Sequence, residues 1–498
     1  MALYIALAVA ILTAACSKPA ASPIPEPDAA SPTTEAATQE PAPQRLELAY
    51  EKPAKVGTAV IATATGLPAG REVDLQWSTV TGGWVIEDYY HFKGKKYNES
   101  VSSLGKFQVD QNGRLEAKFA IPEDYGGVHD IMATVDGKTV AQNGVEVTQT
   151  FELSPLSGPV GTVMELTVKG LGGRTMESTW VVNWDNNEIG WVSAASSKGS
   201  AVARFRASGA PGDHVVKLLS GYQGQGYLNH EQAPNAYLPR PQFTFRMTPG
   251  RASMASAYAE PYQKQPIPKP EISVANATIG MTPTQGPGGT RATLKGTGFP
   301  GGSSLSLVWQ TYVGSRVSGN GFSPQEADLQ PVKVGADGSI NVPVTIPDDL
   351  GGLHGLALRD GEKTLAVTHF VIETSIVSIT PSSGPVGTPV SIHVKGVGWT
   401  EYDNLYAATY DNAYMGYVCG FNSAGDVVIN FTAAGEPGVH LIDLYPGIYQ
   451  GPPTEPQRLY LTPQLTYRDD HPGNKIPALR FAFEVTSSTP PARLLTSR

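Results

Sequence analysis

Four histidines stand where a metal site or a catalytic base could be built. The stretch 121–130, IPEDYGGVHD, puts His129 behind Glu123, Asp124 and two glycines, and IPDDLGGLHG repeats the pattern around His354 at 346–355. His214 in APGDHVV and His440 in EPGVHLI carry shorter versions. An imidazole beside carboxylates can ligate a metal or act as a general base, and paired acids supply the oxygen ligands that calcium takes. The spacing argues for a different role. His129 and His354 lie 225 residues apart, His214 and His440 226 apart, and the steps within each half are 85 and 86. Histidines so spaced share one site only if the chain folds tightly back on itself. One histidine per repeat, at a fixed place before a strand, marks a fold requirement in which the imidazole hydrogen-bonds backbone at a corner. The acid pairs Glu123/Asp124 and Asp348/Asp349 are missing from the other two repeats. Calcium at those two corners stays open as an alternative, and no metal or other cofactor is assigned.

The repeats extend beyond the histidines. LSPLSGPVGTVMELTVKGLG at 153–172 returns as ITPSSGPVGTPVSIHVKGVG at 379–398, with looser copies starting at 281 (MTPTQGPGGTRATLKGTGF) and 50 (YEKPAKVGTAVIATATGL). The pattern is a tandem duplication of a two-domain unit. Each unit reads as a Gly-Pro turn, an alternating strand, a second strand ending in an aromatic, a glycine hairpin and the Gly-x-His strand. With 54 glycines and 41 prolines among 498 residues, short strands and tight turns predict an all-β chain of antiparallel sandwiches. GPVGT…VKGLG and GPVGT…VKGVG resemble the immunoglobulin-like IPT/TIG domains of surface proteins. The resemblance implies four tandem immunoglobulin-like sandwiches and no particular chemistry.

The strand-terminal aromatics Trp77, Trp184, Trp309 and Tyr410 recur once per unit, so a core position on the third strand explains them more cheaply than sugar stacking. Trp191 and Tyr417 lie beyond the following turn and are expected to be exposed. Catalytic signatures fail: Ser103-x-x-Lys106 has no companion motif, His230-Glu231 lacks the second histidine of a zinc helix, and there is no Gly-x-Ser-x-Gly or phosphate loop. Cys419 is a lone thiol, expected to be buried. What remains is loop length. Units two and four carry long loops before their last strand, at 221–241 and 446–477, each with Tyr-Gln-Gly. Candidate binding residues are Tyr222, Gln223, Tyr227, Tyr449 and Gln450, with Trp191 and Tyr417 beside them. The loops either bind a partner or pack on a neighbouring unit and stiffen the chain.

The N-terminus reads as an address. Residues 1–15 form an apolar run, too short for a membrane span, ending in small residues before Cys16. LTAAC resembles a lipobox, which implies lipidation of Cys16, and Ser17 after it implies the outer membrane. No Lys or Arg precedes the run, a departure from the usual secretory signal. The expected layout is a signal peptide at 1–15, a Pro/Ala-rich tether at 16–45, sandwiches at 46–150, 151–248, 271–373 and 374–487, a hinge-like linker at 249–270 and a disordered tail at 488–498. A net charge of −9 and a pI near 5.5 give no electrostatic basis for nucleic-acid binding. The expectation is a non-catalytic, membrane-anchored envelope protein that binds a glycan or an envelope protein. A structural spacer is the alternative, and an envelope hydrolase is less favoured.

Overall fold

The computed structural model describes residues 42–487 apart from 88–90, 175, 223–224, 233–236, 316–320, 421–422, 449–460 and 474. Every regular element among them is a strand, and the strands form four two-sheet sandwiches. In the first, a five-stranded sheet (Gln44–Arg45, Lys138–Val147, Gly127–Val135, Glu72–Glu87, His91–Gln108) faces a three-stranded one (Glu47–Tyr50, Ala59–Ala64, Leu115–Ala120). The other three repeat this arrangement of a three-stranded sheet against a larger one. Alternation in the sequence becomes alternation in burial: the side chains of Val163–Lys169 and Pro389–Lys395 are buried at every second position. Each sandwich opens at a cis X-Pro bond, at Pro53, Pro155, Pro283 and Pro381. The fold is that of tandem immunoglobulin-like sandwiches.

The stretch 249–270 does not behave as a hinge. Residues from Pro43 onward form one compact unit, and this stretch is built into it. Gln242–Arg251 carries the last strand of the second sandwich past Gly250, and Ala257–Ala259 then adds an edge strand to the fourth by pairing with Leu479–Val485. Glu260 accepts hydrogen bonds from Arg480 (2.7 Å) and Tyr467, and Tyr262 packs on the fourth core. The chain thus runs across the fourth sandwich before it begins the third.

The second and fourth sandwiches share one interior. The second core takes in Leu441, Tyr445, Leu465, Tyr467 and Ala478 from the fourth. Arg206, 1% exposed, crosses the boundary to Asp443 (2.5 Å) and to the carbonyls of Ile442 and Phe481 (3.3 and 2.7 Å). Arg480 reaches the same carboxylate at 3.4 Å while its guanidinium lies over the Tyr445 ring at 4.5 Å. Buried charges are tolerable only when opposite charges pair with them. The hinge expected at 249–270 is therefore replaced by a single body, because apolar area and ion pairs that local sequence cannot reveal bind the second sandwich to the fourth.

Candidate functional site

The four repeated histidines occupy one geometry. Each ring stacks on the aromatic of its own unit, with centroids 4.3 Å apart for Trp77–His129, 4.9 Å for Trp184–His214, 4.6 Å for Trp309–His354 and 5.5 Å for Tyr410–His440. In each, Nε2 faces the carbonyl four residues earlier, on Tyr125, Ala210, Leu350 and Glu436, at 2.7–2.8 Å. Nδ1 meets the residue after the aromatic. In the odd units that partner is a carbonyl, Ser78 at 2.7 Å or Gln310 at 3.2 Å; in the even units it is a carboxylate, Asp185 or Asp411, both at 2.5 Å. The Asp411 hydrogen bond raises the pKa of His440, whereas burial lowers that of His354. Asp185-Asn186 and Asp411-Asn412 have φ between 48° and 67°, so their hairpins are tight turns that aim the carboxylate at the histidine. Asp124 and Asp349, the second acids of the opening motif, each accept the indole N–H of their unit's tryptophan at 2.8 Å. Among the described residues no group of three or more His, Cys, Asp or Glu could hold a metal. Ser103 and Lys106 turn to separate carboxylates, Asp74 and Glu72.

The two glycines of the motif serve the junction with the next sandwich. A Cβ at Gly126 would stand 2.1 Å from the carbonyl oxygen of Gly170, and one at Gly351 2.0 Å from that of Gly396. Gly127 and Gly352 have φ of 102° and 98°, a region that favours glycine, and they face the carboxylates of Glu177 and Asp403. His214 and His440, which follow a single glycine, have no such neighbour.

Sandwiches one, two and four meet at Asp470, which is 0% exposed. Its carboxylate accepts from Trp84 Nε1 (2.8 Å), the amides of Ala195 and Ser196 (2.8 and 2.7 Å) and the hydroxyls of Ser193 and Ser196 (2.5 and 2.6 Å). The long hairpin Glu72–Glu87/His91–Gln108 delivers Trp84 and Lys95 to this point. Lys95 donates to Ser178 O and Thr179 Oγ1, and burial pulls its pKa to about 8. His471, beside Asp470, bonds the Tyr402 carbonyl at 2.7 Å, and burial holds its pKa at about 4, so the ring is neutral at pH 7. Phe92, Trp191, Tyr402 and Ile448 form a small core around the junction.

Trp191 is thus a correction: expected on the surface, it is 0% exposed. Residues 462–466 of the fourth unit's loop lie along its strand, with Trp191 N–H donating to Pro463 O (2.9 Å) and Leu465 N–H to Trp191 O (2.8 Å). Tyr417 and Cys419 are half-buried. Of the loop candidates, Gln223, Tyr449 and Gln450 lie outside the described residues, as does the Tyr222 side chain. The duplicated loops have different roles where they are described. Residues 461–473 of the fourth unit pack against the second sandwich, whereas the second unit's loop exposes Tyr227 (36%), Leu228 (79%) and Tyr237 (58%). His230 is buried beneath them, its ring 6.1 Å from that of Tyr227.

No known protein family matches the sequence, and no curated protein matches it. Among solved structures it is similar to the integrin-binding bacterial protein invasin, at 11% identity over 88% of this chain and 79% of that one, with a TM-score of 0.18. An ICAM-5 D1–D4 ectodomain fragment matches at 11% identity over 82% and 95%, with a TM-score of 0.17. Against dimeric latent PorU from Porphyromonas gingivalis the identity is 14% and the TM-score 0.16, over 66% of this chain. The chain spans 34% of PorU's length. Likeness at this level carries no argument about function.

Proposed function

We propose that the chain is a non-catalytic binding protein of the bacterial envelope, lipid-anchored at Cys16, whose IPT/TIG-like sandwiches form one stiff body that engages a glycan. One observation carries the reading. Of two loops in corresponding positions, the fourth unit's is buried in the body at 463–467 and 470–472, while the second unit's presents Tyr227, Leu228 and Tyr237 to solvent. Rigid scaffolds place binding residues on such loops, and tyrosine offers large contact area at low entropy cost. The spacer reading draws on the buried half of that observation, since a loop packed between sandwiches stiffens the chain.

Tyr227→Ala with Leu228→Ser tests the choice. Both side chains are solvent-facing, so the melting temperature should hold while retention on envelope polysaccharide falls about tenfold, a loss near 1.4 kcal/mol. Retention unchanged at an unchanged melting temperature hands the lead to the spacer. For the anchor, a fatty-acid analogue should label the full chain and not Cys16→Ala; a labelled alanine variant removes the anchor from the proposal.

A further inference from the structure

The geometry points to the cleft between the first and second sandwiches as a binding site for a glycan carrying free amino groups. This rests on the glycan-binding reading above and names the ligand class. The cleft encloses about 600 Å³, within the range of sites that hold small ligands. One wall is the hairpin Glu72–Glu87/His91–Gln108, where Ser78 pairs with Val101 and Val80 with Glu99, so these four side chains share one face. The opposite side is the 126–130 corner, with Gly173 and Arg174 of the second sandwich closing the end.

Its chemistry is that of a hydroxylated cation. Glu99 and Asp130 lie exposed in the lining. A third carboxylate lies beneath the floor: Glu177 is 1% exposed, its Oε1 accepts from Tyr237 at 2.7 Å, and its Oε2 has no hydrogen-bond partner. That oxygen lies between Gly172 and Gly127 of the lining, where added Cβ atoms would stand 2.4 and 3.4 Å from it. The guanidinium in the lining, Arg174, is drawn toward the same residue, 3.7 Å from Glu177 Oε1. His129 is occupied with the Ser78 and Tyr125 carbonyls. Glu99, Asp130 and Glu177 against Arg174 and the buried Lys95 ammonium at Ser178 O leave one net negative charge to favour an ammonium group. Ser78 supplies a hydroxyl on the same face, while Val101 and Val128, 55% and 59% exposed, give apolar faces. An amino sugar presents ammonium, hydroxyls and apolar C–H faces together. Tyr237 of the exposed loop holds Glu177 in place beneath the cleft.

The test titrates the intact protein with chitosan oligosaccharide and, separately, with its fully N-acetylated counterpart, by calorimetry at low ionic strength, where exposed charges are least screened. The free-amine probe should bind, with the acetylated probe and the Glu99→Gln/Asp130→Asn variant each at least about tenfold weaker. Both substituted residues are exposed, so a matching melting temperature certifies the fold. Glu484→Gln, in a separate cleft that Met247 of the second sandwich and His440 of the fourth also line, should leave affinity unchanged. Equal affinity for both probes, full affinity in the double variant, or no binding by the unaltered protein overturns the assignment. Retention of the unaltered protein on envelope polysaccharide, where the chitosan probe fails, would overturn the cleft alone and leave the loop reading standing.

Discussion

Asp470→Asn should cost the protein on the order of 3 kcal/mol or more. The Asp470 carboxylate accepts five hydrogen bonds from the first and second sandwiches, three on Oδ1 and two on Oδ2. Hydrogen bonds to a buried charge contribute more than neutral ones, and stranding their donors costs each its desolvation. An asparagine amide points two N–H groups at donors whichever way it turns, so either Trp84 Nε1 and the Ser196 amide or the Ala195 amide loses its acceptor. Lys95 also loses the anion that opposes the burial penalty on its charge. The neighbour supplies the comparison: Asp469 accepts one backbone bond, from Val202 at 2.7 Å, and Asp469→Asn should cost about 1 kcal/mol. Denaturant unfolding of both variants reads the difference. Hydrogen exchange should locate it, with the amides of Ala195 and Ser196 opening first. An Asp470→Asn protein with an unaltered midpoint would mean that the three-sandwich junction contributes little.

The sequence showed what repeats and hid what is singular. The aromatic and the histidine of each unit were each legible as structural because they recur in register, but that they stack on one another was not, since the two residues lie on different strands. Trp191 carried no such signal. It sits on an edge strand beyond a turn, where pattern predicts exposure, and only the return of residues 462–466 from more than 270 positions away buries it. The stretch 249–270 misled for a related reason. Its prolines and alanines have linker composition, yet Ala257–Ala259 pairs with Leu479–Val485 and Glu260 meets Arg480, partners that lie more than 200 residues further on. Asp470 was invisible for the same cause, since an Asp-Asp-His in a Pro/Gly-rich loop looks like solvated surface. The exposed loop of the second unit was visible as a length anomaly, and its partition from the fourth was not, because the two sequences share Tyr-Gln-Gly and differ in what packs against them.

Gly351→Ala should loosen the third sandwich from the fourth, and the doubled glycine quoted at the outset is the reason. The Gly351 amide donates to Val397 O at 3.0 Å and forms an isolated parallel bridge with Gly398. The added methyl would lie 2.0 Å from Gly396 O and 2.8 Å from its carbonyl carbon, and both atoms belong to backbone. Gly396 cannot retreat easily: it holds φ at 70°, and its own Cα is hemmed in by the Glu373 carbonyl. Overpacking that moves backbone costs about 1–3 kcal/mol, and the cost should fall on the contact between sandwiches. Gly355→Ala, four residues along the same strand, isolates the cause. There the methyl meets Gln310 Oε1 at 2.2 Å and Cβ at 3.3 Å; the amide end can swing aside by giving up its exposed bond to Glu326 (3.0 Å), so stability should change by less than about 1 kcal/mol. Hydrogen exchange should show the amides of Gly351 and Val397 accelerated in Gly351→Ala while the strand Gly352–Asp360 keeps its protection. Faster exchange throughout that strand would place the damage inside the third sandwich. Unchanged exchange in both variants would show that the close approach of Gly351 to Gly396 is not what holds the sandwiches together, and the doubled glycine would then need another explanation.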